Sequence, residues 1–155
     1  MINFIIIGLS PDVTQDLAGL ARSPAPYRQR QLLHKISAGF PSPASDYIED
    51  GLDLNDYLVH NKTASFLFTV TGNSMSGAGI LDGDKVIVDR SVNPVHGKIV
   101  IAVINAEYTL KRLYNLHGII ELRAENDAYP PIRLVDGQEL EIWGVVVGAI
   151  RKYRG

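Results

Sequence analysis

From Ser65 onward, turn residues about ten positions apart divide the chain into short apolar runs, and few folds accept that rhythm. The runs predict strands at Ser65–Thr71, Lys85–Asp89, Lys98–Asn105, Glu107–Tyr114, Ile119–Ala124, Ile132–Val135 and Leu140–Arg151. Between them lie Leu81-Asp82-Gly83-Asp84, Asn93-Pro94, Asn105-Ala106, Asn115 to Gly118, Tyr129-Pro130-Pro131 and Asp136-Gly137. Alternating strands and helices would signal a parallel sheet, and that alternation is missing here. The pattern therefore predicts a mainly β, compact and largely antiparallel domain.

The first 60 residues read differently. Ser10-Pro11-Asp12 is a helix start, with an N-cap hydroxyl, proline at the first helical position and an acid in the first turn. A short helix to about Arg22 follows, and Ser23-Pro24-Ala25-Pro26 ends it. Tyr27 to Ile36 reads as a second weakly amphipathic helix or an irregular arm. In Ser37-Ala38-Gly39-Phe40-Pro41-Ser42-Pro43-Ala44 two prolines forbid helix, so this piece is expected to be extended and exposed. Asp53 then looks like the N-cap of a brief helix from Leu54 to about Val59. A mostly helical and extended N-terminal arm ahead of the β domain is the result. The apolar stretch Met1 to Leu9 lacks a basic n-region and is too short to span a bilayer, so a soluble, cytoplasmic protein with no membrane attachment is expected.

Composition removes several function classes. Among 155 residues 46% are apolar, 21% are charged and the formal net charge is -2, as suits a globular domain. Basic residues are scattered except for Arg151-Lys152-Tyr153-Arg154, which leaves no stripe for direct sequence-specific DNA binding. Without cysteine there is no disulfide, thiolate catalysis or cysteine metal site. His34, His60, His96 and His117 stand far apart, with no second ligand at metal spacing.

The candidate chemistry lies in Thr71-Gly-Asn-Ser-Met-Ser-Gly-Ala-Gly-Ile-Leu-Asp-Gly-Asp84, at the end of the first strand of the β domain. Gly72, Gly77 and Gly79 allow a sharp turn and a close approach to other backbone, so Ser74 and free N–H groups can be presented together. Nucleophilic catalysis needs both, because a serine oxygen attacks a carbonyl while N–H donors hold the oxyanion that forms. A base must also remove the serine proton. His96 and His117, both in loops, are candidates; the alternative is Lys111, inside a strand and on one face with Thr109 and Leu113. A lysine amine acts as a base only when neutral, and burial lowers its pKa toward that state.

Gly72-Asn73-Ser74-Met75, Gly79-Ile80, Asp82-Gly83-Asp84 and Tyr108-Thr109-Leu110-Lys111, the lysine thirty-seven positions after the serine, together resemble the LexA/UmuD family of self-cleaving Ser-Lys proteases. Ala38-Gly39-Phe40-Pro41-Ser42-Pro43-Ala44-Ser45-Asp46-Tyr47 and Asp53-Leu54-Asn55 are similar to its UmuD-like branch. The likeness runs from about Ser37 to Arg151, while the first 36 or so residues do not match. It implies Ser74 as nucleophile, Lys111 as general base and Ala38–Gly39 as the bond cut, with the backbone N–H groups of Asn73 and Ser74 as oxyanion donors.

The same resemblance implies an arm at 1–38 removed by self-cleavage, a linker with a short helix at 39–64, and a protease-like dimerisation domain at 65–155. It also implies a homodimer, an activated RecA–single-stranded DNA filament as trigger, a Y-family polymerase subunit as partner, and no cofactor or metal. A second reading is a dimerisation and polymerase-binding module in which cleavage is vestigial. A type I signal peptidase shares the serine and lysine, but Ser76-Gly77-Ala78 after Met75 is not that family's proline-containing sequence. No helix-turn-helix domain is expected ahead of the linker, which separates the chain from the repressor branch.

Overall fold

The computed structural model describes residues 28–32, 48–134 and 138–154, which fall into two units on either side of residue 59. In the first unit, β1 (Arg28–Leu32) pairs antiparallel with β2 (Ile48–Asp53), from Arg28 opposite Asp53 to Leu32 opposite Ile48. Helix α1 (Leu54–Leu58) follows directly. The Asp53 carboxylate accepts the Asn55 N–H at 2.8 Å, satisfying one of the donors that a helix start leaves open.

Two expectations are corrected here. Tyr27 to Ile36 was expected to be helical or irregular, yet Arg28–Leu32 is a strand, and Ile48–Asp53 is a strand where a linker was expected. Neither segment is rich in β-branched or aromatic residues. The sequences of the paired strands are complementary, two arginines in one and three carboxylates in the other, and that cross-strand match is invisible to a local reading. The helix expected from Ser10 to about Arg22, Met1 to Leu9, and the segment Ser37 to Ala44 with Ala38–Gly39 lie outside the described residues.

The second unit is a seven-stranded antiparallel sheet in the order β3-β4-β9-β5-β6-β7-β8. Its strands are β3 (Ser65–Thr69), β4 (Lys85–Asp89), β5 (Ile99–Ile104), β6 (Glu107–Leu116), β7 (Ile119–Arg123), β8 (Ile132–Arg133) and β9 (Leu140–Ile150). Each falls where an apolar run was expected, with ends differing by a residue or two. Two-residue turns join β5 to β6 at Asn105-Ala106 and β6 to β7 at His117-Gly118, with φ of 50°, 66°, 52° and 77°. Positive φ at both central residues matches the twist of a tight hairpin.

Alternation along the strands builds two apolar clusters. Val86, Val88, Ile101 and Trp143 pack with Met75 and Ile80, which come from the loop between β3 and β4. Phe66 and Phe68 meet the Trp143 ring edge to face, each with centroids 4.9 Å apart. Val100, Ala102, Leu113, Leu122 and Val145 form the second cluster. Val100 faces Lys111 across the β5–β6 ladder. Lys111 is thus seated beside aliphatic neighbours by register alone.

Candidate active site

The loop from β3 to β4 is held by its own backbone and by the segment after β7. Gly72, at φ 89°, donates its N–H to the Asp82 carboxylate at 2.7 Å, closing the loop across ten residues. Ser76–Ala78 forms one 3-10 turn that ends at Gly79, φ 77°. Met75 is 1% exposed and packs in the first apolar cluster, so the residue next to Ser74 acts as an anchor. Gly77 donates its N–H to the Glu125 carbonyl at 2.7 Å, and a Cβ at that position would sit 2.5 Å from the same oxygen. Only glycine permits that approach.

At the far end of the loop, Asp84 is gripped by Arg151 through two hydrogen bonds of 2.7 and 2.6 Å and accepts the Leu81 N–H at 2.8 Å. These bonds, the Arg151 guanidinium foremost, bring the Asp84 carboxyl down to about 2. Arg151 also donates to the Gly79 carbonyl at 2.7 Å. One member of the C-terminal basic cluster is therefore a brace for this loop.

Ser74 is half-buried, and its Oγ lies 2.9 Å from the Nζ of Lys111. Lys111 is 8% exposed and has no carboxylate partner among the described residues. Its Nζ also lies 2.9 Å from the Leu110 carbonyl and 3.2 Å from Thr109 Oγ1. Desolvation by burial pulls its pKa below the ordinary lysine value.

The three neighbours suit a neutral amine. With the amine neutral, its two N–H groups can serve the Leu110 carbonyl and the Thr109 oxygen while its lone pair accepts from the Ser74 hydroxyl. The pair has the composition and spacing of a nucleophile with its base.

Other candidates are placed elsewhere. His96 is exposed, accepts the Asn115 N–H at 3.2 Å and stacks edge-on to Tyr114, while His117 is exposed in the β6–β7 turn. His60 is exposed as well. His34 and the Ala38–Gly39 bond lie outside the described residues. Neither the Asn73 nor the Ser74 N–H has an acceptor among the described residues.

Sequence reasoning missed the segment that holds the Ser74 turn in place. Glu125 donates its N–H to the Ser74 carbonyl at 2.9 Å, and its side chain pairs with Arg112, the residue after Lys111. Asn126 Nδ2 donates to the Asn73 carbonyl at 2.9 Å. Glu125-Asn126 looks like ordinary loop composition, and no spacing ties it to Ser74.

Residues 31–147 match the family described as Peptidase S24-like. The chain is similar to protein SamA of Salmonella typhimurium (strain LT2), 44% identical over 120 residues, which cover 77% of this chain and 83% of SamA. Protein MucA of Escherichia coli is 42% identical over 119 residues, 76% of this chain and 81% of MucA. The LexA repressor of Clostridium perfringens is 40% identical over 123 residues, which cover 79% of this chain and 59% of the repressor.

Proposed function

The chain belongs to the S24-like peptidase family, and from that premise we propose that it cuts itself between Ala38 and Gly39, with Ser74 as nucleophile and Lys111 as general base. The observation that carries the reading is the buried Lys111 amine, 2.9 Å from the Ser74 hydroxyl and with no carboxylate partner among the described residues. Neutral Lys111 takes the hydroxyl proton as Ser74 Oγ bonds to the Ala38 carbonyl carbon. Negative charge builds on the carbonyl oxygen, where the N–H groups of Asn73 and Ser74 are the proposed donors. Collapse breaks the Ala38–Gly39 bond, and the Lys111 ammonium returns its proton to the leaving Gly39 amine. Water, deprotonated by the same amine, then hydrolyses the Ser74 ester. Because bond and nucleophile belong to one chain or one dimer, effective concentration stands in for binding affinity.

In this reading residues 1–38 are an arm removed by the cut, 39–64 a linker, and 65–155 the protease-like and dimerising part. The resemblance to UmuD-like proteins supports a role in the bacterial SOS response. RecA filaments on single-stranded DNA would stimulate cleavage, and the homodimeric product would serve as a subunit of an error-prone translesion polymerase of the Y family. A cytoplasmic location fits that role, and no helix among the described residues is long and apolar enough to cross a membrane.

The test is incubation of the purified chain at alkaline pH, or with RecA, nucleotide and single-stranded DNA, followed by mass spectrometry. A fragment of residues 39–155 is expected, absent in Ser74→Ala and Lys111→Ala. A chain that stays whole in every condition, or is cut equally in Lys111→Ala, overturns the reading. Since burial lowers the Lys111 pKa, the rate rises with pH and levels off below the ordinary lysine range.

A further inference from the structure

Asn126 and Glu125 close on the Ser74 turn with four contacts. Glu125 donates its N–H to the Ser74 carbonyl at 2.9 Å and accepts the Gly77 N–H at 2.7 Å. The Asn126 Nδ2 donates to the Asn73 carbonyl at 2.9 Å and lies 3.4 Å from Ser76 Oγ. Ala128 N–H donates to Asn126 Oδ1 at 3.0 Å, which fixes the end of the amide that faces the turn. The Asn73 carbonyl also accepts the Ser76 N–H at 3.3 Å, so it is held from two sides.

A peptide group is planar and trans, so the Asn73 C=O and the Ser74 N–H belong to one rigid plate and point in opposite directions. Fixing the carbonyl at one edge aims the N–H at the other. A hydrogen bond accepted by that carbonyl also polarises the N–H of the same amide and makes it a stronger donor. We propose that Asn126 is a positioning residue: its side-chain amide orients the Asn73–Ser74 peptide so that the Ser74 N–H meets the developing oxyanion. The proposal rests on the self-cleavage reading above and adds the group that aims its oxyanion donor. Asn126 touches neither of the reacting side chains in that scheme, and it acts through the backbone alone.

The test compares the full-length parent with Asn126→Asp and Asn126→Ala. The aspartate keeps the acceptor for Ala128 but has no N–H to give and sets a carboxylate oxygen against the Asn73 carbonyl. Alanine removes both contacts without adding charge. Cleavage rates are followed across pH, together with thermal melting and the Ser74 amide proton resonance. A misaimed oxyanion donor should lower the alkaline plateau roughly 10- to 100-fold in both variants. In Asn126→Ala the pH midpoint should match the parent, because the surroundings of Lys111 are untouched. A merely structural loosening would instead admit water to Lys111 and raise that midpoint. The Ser74 amide proton should move upfield in both variants as its peptide loses a hydrogen bond at the carbonyl. A parent-like plateau, or a loss of rate that comes with a raised midpoint in Asn126→Ala, overturns the positioning role. If the parent itself stays whole, the protease reading fails. The resonance then decides alone: a shift upholds the positioning of the peptide, and an unmoved one overturns it.

Discussion

Ser74 sits on a turn shaped by backbone hydrogen bonds, glycine and one anchoring methionine, whereas Lys111 sits mid-strand and has its pKa lowered by the burial around it. On the serine side the Gly77–Glu125 and Ser74–Glu125 contacts are short-range and directional. On the lysine side the determining quantity is the removal of water, with Leu113 at 1% exposure and Val100 at 0%. The serine turn can therefore fail by moving a few tenths of an ångström, while the lysine strand fails by becoming wet.

Substitutions can separate the two modes. Lys111→Met should abolish cleavage at every pH and leave the fold intact, because the methionine fills the same apolar space. Its effect on stability has a definite sign. The lysine pKa is lower folded than unfolded, so the unfolded chain binds more protons and parent stability rises as pH climbs from the folded pKa toward the ordinary value. Lys111→Met should raise the melting temperature more at neutral pH than at alkaline pH, by calorimetry. An equal change at both would mean that the amine is hydrated.

Gly77→Ala is next in size. Its Cβ would meet the Glu125 oxygen at 2.5 Å, so the turn must shift, which costs about 1 to 3 kcal/mol by urea unfolding. A shift of that kind should slow cleavage about 100-fold while leaving the pH midpoint in place. Leu113→Ala should do the reverse. It removes about 2 to 5 kcal/mol of stability and moves the midpoint up, slowing cleavage at neutral pH about tenfold per unit of rise. The smallest effect is expected from Thr109→Val, which takes one acceptor from the amine and disfavours the ammonium, so the midpoint should fall slightly with a few-fold change in plateau. If Gly77→Ala moved the midpoint, or Leu113→Ala left it fixed, the contrast between the two sides would be wrong.

The β domain was readable from the chain because its signals are local. Unbroken apolar runs within Lys85–Asp89 and Ile99–Ile104, rich in valine and isoleucine, mark strands, and Asn105-Ala106 and Asn115 to Gly118 mark turns. Ser74 stood out for its glycines, and Lys111 for lying inside a strand. Their meeting was not readable from spacing, since it depends on strand order and on the β5–β6 register that sets Lys111 opposite Val100. Even less visible were Glu125 and Asn126, whose contacts with residues 73 to 77 use mostly backbone atoms, and backbone atoms are the same in every residue type. The β1–β2 pairing escaped for a related reason: its cue is a match between two polar stretches, and neither stretch is distinctive alone.

In the sheet, β9 lies between β4 and β5. The strands that flank the Ser74 turn and the strand that carries Lys111 share no hydrogen-bonded edge until β9 fills the gap. Ribosomes make β9 after both, and Arg151, which secures Asp84, emerges just behind it. A nascent chain thus holds both its hydroxyl and its amine from residue 111 onward, but the sheet that joins their strands closes only when Leu140–Ile150 has been made, and the self-cleavage proposed above would wait for that strand.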